Sequence, residues 1–90
     1  MFIGKVVGKL WATRKDEKLE GQKFLIIKLL KDKNKEDDGI FVAADSVGAG
    51  QGDTVLIVRG GSARIALGNK EVPIDAAIVA IIDSIEVEDE

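Results

Sequence analysis

The chain has 90 residues, no cysteine, no histidine and a net charge of −3. That excludes disulfide staples, a zinc site built on Cys or His, and catalysis through the commonest general base or soft nucleophile. A single domain of this size buries only about 60% of its unfolded surface and is marginal alone, so association with other copies is the expected source of further stability. The charge is uneven: residues 1–35 hold ten Lys/Arg and four Asp/Glu, residues 36–90 three and twelve. Such a bipolar surface helps identical subunits meet head to tail; the plainer alternative is solvated loops and an acidic tail.

In chain order, Phe2 to Ala12 reads as a strand with Ile3, Lys5, Val7, Lys9 and Trp11 on one face and Phe2, Gly4, Val6, Gly8 and Leu10 on the other. Thr13 to Gln22 is a charged loop. Lys23 to Lys31 is a second strand, holding the apolar runs Phe24–Ile27 and Leu29–Leu30. A polar turn from Asp32 to Gly39 leads to a short third strand, Ile40 to Ala44. Val47 to Asp53 is a glycine-rich loop, and Thr54 to Arg59 a fourth strand. Ser62 to Leu67 reads as one or two helical turns stopped by Gly68 and Asn69. Asp75 is a good N-cap for a further turn through Ala76–Ile78. Val79 to Val87 is the last strand. The domain is expected to span residues 1–87, with an acidic tail at 88–90. Five short strands with turn signals between them give a mainly β fold, a small five-stranded barrel with one or two short helices.

The second, fourth and fifth strands are apolar on both faces, where a small barrel normally keeps one face polar. With Phe24, Ile26 and Leu30 inside, Leu25, Ile27 and Leu29 point out; the reverse assignment fits the pattern equally. An exposed aliphatic row on several strands is a hazard for a monomer, so burial against identical neighbours is expected. No apolar run approaches the roughly 20 residues that span a bilayer. Lys5 and Lys9 interrupt the first ten residues, unlike a signal peptide, so an intracellular protein without a membrane partner is expected.

The carboxylates gather in loops and the tail, at Asp16/Glu17, Glu36–Asp38 and Glu88–Glu90, without the spaced oxygen ligands of a cation loop, so no metal site is expected. The segment Gly48-Ala49-Gly50-Gln51-Gly52-Asp53 lacks the last glycine of a dinucleotide fingerprint and the Lys-Ser/Thr of a phosphate loop, so no cofactor is expected. Arg59-Gly60-Gly61-Ser62-Ala63-Arg64 has the makings of an anion cradle, or simply of a turn and helix cap.

Taken together, Gly4-Lys5-Val6-Val7-Gly8, Leu10-Trp11-Ala12-Thr13-Arg14-Lys15, Gly21-Gln22-Lys23, Val42-Ala43-Ala44-Asp45, Val47 to Asp53, Arg59 to Arg64 and Val72 to Asp83 resemble the EutN/CcmL family. The match runs nearly the whole chain, and the ordered set is far more specific than any one segment. The resemblance implies an OB-like barrel assembled as a homopentamer, with no enzyme activity. It places that pentamer in the bacterial cytoplasm, at the vertices of a microcompartment shell otherwise tiled by hexameric shell proteins. The expected subunit interface comprises Trp11, Thr13, Arg14, Lys15, Leu25, Ile27 and Leu29. Gly48, Ala49, Gly50, Gln51 and Gly52 are expected near the ring axis, and Gly61, Ser62 and Arg64 where a neighbouring tile docks. The charged loop at 32–38 and the acidic tail depart from the family pattern. The competing reading, an OB-like module for single-stranded nucleic acid, needs a basic groove with stacking aromatics. This acidic chain has four aromatics in all and no tyrosine.

Overall fold

The computed structural model describes residues 1–11, 17–19, 21–32, 35–68 and 74–86, with those at 31–32 and 35–38 defined by backbone alone. The strands are β1 (Phe2–Leu10), β2 (Lys23–Asp32), β3 (Lys35–Asp45), β4 (Thr54–Arg59) and β5 (Ala76–Ile81). A 3-10 turn (Glu17–Leu19) precedes β2, and a short helix, α1 (Gly61–Ala66), follows β4. The sheet closes on itself in the order β1-β2-β3-β5-β4. All neighbours are antiparallel except β3 and β5, which pair in parallel over Ala44↔Ala77 and Asp45↔Ile78. The expected five-stranded barrel is therefore present. Closure removes the free sheet edges that would otherwise template aggregation.

Alternation decides what fills the interior. Val6, Leu25, Ile27, Ala43, Val55, Ile57, Ala76 and Ile78 turn inward and are almost wholly buried. Each large aliphatic among them contributes about 1.5–3 kcal/mol by leaving water. Leu25 and Ile27 are thus core residues, each 0% exposed, which corrects their assignment to the outer face. Their cross-strand partners Ala43 and Phe41 share the inward side, as paired residues on one face must.

Four register shifts interrupt the strand pairings, two of them in β2–β3, at Lys28/Leu30 and Leu30/Asp32; the other two upset the simple two-residue period elsewhere. The register of β1 against β2 shifts between Val6 and Gly8. Before the shift, Gly4 and Val6 face the core; after it, Gly8 and Leu10 pair with outward Ile26 and Phe24. The strand's even-numbered residues therefore do not share one face, as unbroken alternation predicts. A bulge of this kind also adds the bend that a barrel of few strands needs. A second shift separates Leu56 from Ile57 in the β4–β5 pairing.

The last strand lies earlier than expected. Ala76–Ile78 was expected as a helical turn, yet it opens β5, pairing with β4 on one side and β3 on the other. Strand formation gives these residues two hydrogen-bonded neighbours, more than one helical turn can return, and it ends at Ile81 rather than Val87. Ala77 faces outward beneath α1, where Val58, Ala63 and Ala77 form a second buried layer with Leu67 and Val79 against it. Alanines at 63 and 77 let the helix approach the sheet closely. The helix itself lies within one residue of its expected place. β3 also starts earlier than expected, at Lys35, and its pairing with β2 extends to Asp32↔Lys35.

Both ends of the barrel are closed. At one end the loop after β3 folds inward and buries Ala49. Lys23 Nζ donates to the Ala49 carbonyl at 3.2 Å and lies 3.5 Å from the Asp45 carboxylate, which also accepts the Val47 N–H. Gly52 N–H donates to Val6 O and Val6 N–H to Asp53 O, both at 2.9 Å, tying the loop to β1. At the other end the Arg59 guanidinium stacks between the rings of Phe2 and Phe41, 5.3 Å from each centroid. Each such contact is worth about 0.5–1 kcal/mol at an exposed site.

Gly4 sits where the wall has no room for a side chain. A Cβ there would lie 2.5 Å from Ile27 Cγ2 and 3.0 Å from both Ile57 Cδ1 and the Lys28 carbonyl. The first is a branched methyl with no freedom to retreat and the last is backbone. Gly4→Ala is expected to destabilise the subunit by about 1–3 kcal/mol through overpacking. Urea unfolding checks this, and an unchanged midpoint contradicts it.

Candidate subunit-contact surfaces

The outer wall of the barrel carries two apolar areas on different flanks. On β1, β2 and β3 the cross-strand pairs Leu10↔Phe24, Gly8↔Ile26, Ile26↔Val42 and Phe24↔Ala44 share the outer face. Phe24 and Ile26 are half-buried, while Leu10, Val42 and Ile40 are exposed. Ala44 lies underneath, covered by Ile74 with Leu19, Phe24 and Leu67 around it. Between these residues lies an open apolar pocket lined by Leu19, Phe24, Val42, Ala44, Ile74 and Asp75. On the other flank Ile3 pairs with Leu56, and Leu56 with Ala80. These three are half-buried and form a low ridge across β1, β4 and β5.

The helix covers Val58 and Ala77, with Val79 packed against the same cluster. Ile40, at 62% exposure, and Trp11, at 83%, remain in water on the isolated chain. Exposed aliphatics spread over several strands mark a surface meant for another protein surface.

The expected interface residues fall into three groups. Trp11 is fully presented at the end of β1, and Leu29 is half-buried opposite Gly4. Thr13, Arg14 and Lys15 lie outside the described residues. Leu25 and Ile27 are inside the barrel and cannot touch a neighbour. The outward residues of β2 are instead Phe24 and Ile26, which the sequence reading missed. Lys28 was the available signal: it shares a face with residues 24 and 26, and a lysine does not point into a barrel this small.

The loop residues are also divided. Gly48, Gln51 and Gly52 are exposed, Gly50 is half-buried, and Ala49 is 1% exposed and belongs to the core. Ala49 is therefore removed from any surface role. Gly48 and Gly52 have φ of 81° and 92°, so the turn itself requires glycine there. Gly50 has no such demand: its N–H donates to Asp53 Oδ2 at 2.8 Å, and a Cβ placed on it would meet only that oxygen, at 4.0 Å. Gly61 and Ser62 are exposed at the start of α1, with Arg64 half-buried beside them. Among the described residues no group of three or more acidic side chains is placed to hold a metal ion. None of their buried side-chain polar atoms lacks a hydrogen-bond partner.

Comparison with known proteins places these surfaces in a family. The family model described as ethanolamine utilisation protein EutN/carboxysome matches residues 1–83. The carboxysome shell vertex protein CcmL of Nostoc sp. is 50% identical over 90 residues, covering 99% of this chain and 89% of that protein. The solved structure of Gloeobacter violaceus CcmL superposes with a TM-score of 0.92 at 38% identity, over 98% of this chain and 91% of that one. The GrpN pentameric microcompartment shell protein from Rhodospirillum rubrum superposes with a TM-score of 0.88 at 40% identity, over 98% and 100%. The chain belongs to the EutN/CcmL family, the structural vertex proteins of bacterial microcompartment shells.

Proposed function

We propose that this chain assembles into a closed ring of five copies that fills a corner of a microcompartment shell built elsewhere from hexameric tiles. The observation that carries this is the barrel's outer wall, with apolar areas on two different flanks of one small subunit. A two-fold dimer uses one patch against itself, whereas a ring uses two unlike patches and closes when the rotation between copies divides the circle. The pentameric relative from Rhodospirillum rubrum, alike over nearly the whole chain, supports five as the number. A sheet of hexagons stays flat, and a five-fold tile inserted into it forces curvature. The protein's work is then geometric, and its chemistry is the exclusion of water from its flanks. Native mass spectrometry is expected to show five copies; a folded monomer at micromolar concentration overturns the reading.

Within that ring, the 48–52 loop lies at one end of each barrel and leans toward the common axis, with Gly48, Gly50, Gln51 and Gly52 available there. Gly50 provides a clean test, because a Cβ there meets only Asp53 Oδ2, at an ordinary contact distance of 4.0 Å. Gly50→Phe is expected to leave the monomer's unfolding midpoint nearly unchanged while reducing pentamer content at least tenfold, read by size-exclusion chromatography. Unaltered pentamers would place the loop away from the axis.

Gly61, Ser62 and Arg64 form the rim that meets the neighbouring hexameric tile, at the exposed start of α1. The double substitution Ser62→Glu and Arg64→Glu adds negative charge there without touching the apolar flanks. It is expected to preserve pentamers yet leave co-expressed shells unclosed in electron micrographs. Closed, regular shells from that variant would remove these residues from the contact.

A further inference from the structure

We propose that the Ile3–Leu56 ridge of one subunit seats in the pocket between Leu19, Phe24, Val42 and Ile74 of the next, and that this contact gives the ring its direction. The inference rests on the ring reading above and names the surfaces that make it.

Three observations converge on it. The pocket is concave and apolar, with a volume of about 180 Å³. That is the scale of a cavity able to take a benzene-sized group, so it admits a branched aliphatic side chain. The ridge supplies such side chains: Ile3 and Leu56 are cross-strand partners on the outer face, and neighbouring Ala80 is small enough to let a second subunit approach them.

Charge fits as well. Asp75 stands exposed on the rim of the pocket. Lys5, two residues along β1 from Ile3, shares the ridge's face opposite Thr54. Seating the ridge brings the lysine's flank toward the aspartate's rim, which favours this pairing over ridge against ridge or pocket against pocket.

Position supplies the third argument. The ridge is built on β1, β4 and β5, and the pocket on β2, β3 and the segments that flank them. One copy therefore cannot offer both to the same partner. Each contact leaves one ridge and one pocket free at the ends of the growing arc, until the last copy joins the first.

Two variants test this. Val42→Asp spoils the pocket and keeps the ridge; Leu56→Asp spoils the ridge and keeps the pocket. Each alone is expected to be a folded monomer by circular dichroism and native mass spectrometry, with pentamer content lowered at least 100-fold. Mixed, they are expected to form a heterodimer and nothing larger, because each mixture has one intact ridge facing one intact pocket. A mixture that stays monomeric while the unmodified chain is pentameric overturns the assignment and leaves the ring standing. An unmodified chain that is itself monomeric overturns both. As a gentler check, the chain has no cysteine of its own, so a Val42→Cys and Leu56→Cys double variant is expected to give a disulfide ladder ending at five. Each single variant is expected to give none. Cross-linking by one single variant alone would reveal a two-fold contact and reject the proposal.

Discussion

β1 is the strand on which closure of the barrel depends. It pairs with β4 through Phe2–Lys5 and with β2 through Gly4–Leu10, so its middle residues are bonded on both edges. A strand in that position must bend, and it must let the opposite wall come close. The register shift after Val6 supplies the bend, and Gly4 supplies the close approach. With closure achieved, the inward aliphatics exclude water from the inner face of the sheet, and the loop at Ala49 and the arginine at 59 have something to cap. Without it, the same residues would form an open sheet with two bare edges.

Closure leaves a subunit with its polar and apolar surfaces unusually distributed. The interior consumes Val6, Leu25, Ile27, Val55, Ile57 and Ile78, and α1 takes Val58 and Ala77 into a second layer. What remains outside on β2 and β3 is Phe24, Ile26, Val42 and Ile40, facing solvent in whole or part. Among the described residues, α1 is the one α-helix, and it lies over Val58 and Ala77 rather than over that surface. The family assignment and the outer-wall chemistry therefore say the same thing from independent directions, since a vertex subunit has no purpose apart from its neighbours.

Much of this was legible in the residues. The number of strands, the bounds of β4 and the place of α1 follow from apolar runs between glycines and charges. The family resemblance followed from ordered segments rather than from any single motif. Facing was harder. Apolar side chains on both sides of β2 make its alternation ambiguous, and the choice that placed Leu25 and Ile27 outside ignored the phase marked by Lys28. The shift in β1 has no signature in Val6-Val7-Gly8, because a bulge is decided by the partner strand. Ala76–Ile78 follows a good helix N-cap at Asp75, and pairing with two strands overrode that local preference. The pocket brings together Leu19, Val42 and Ile74, residues far apart in the chain, and only the folded wall makes them neighbours.

The capped barrel also bears on permeation. Core aliphatics fill the space between the strands, Ala49 and its loop stop one mouth, and Arg59 with two phenylalanines stops the other. Among the described residues, the space between the strands is filled by side chains rather than left as a channel. In the proposed ring, the path left for a leak is the seam where copies converge, so the tightness of such a corner would be a property of how snugly five backbones meet, and not of the barrel's bore.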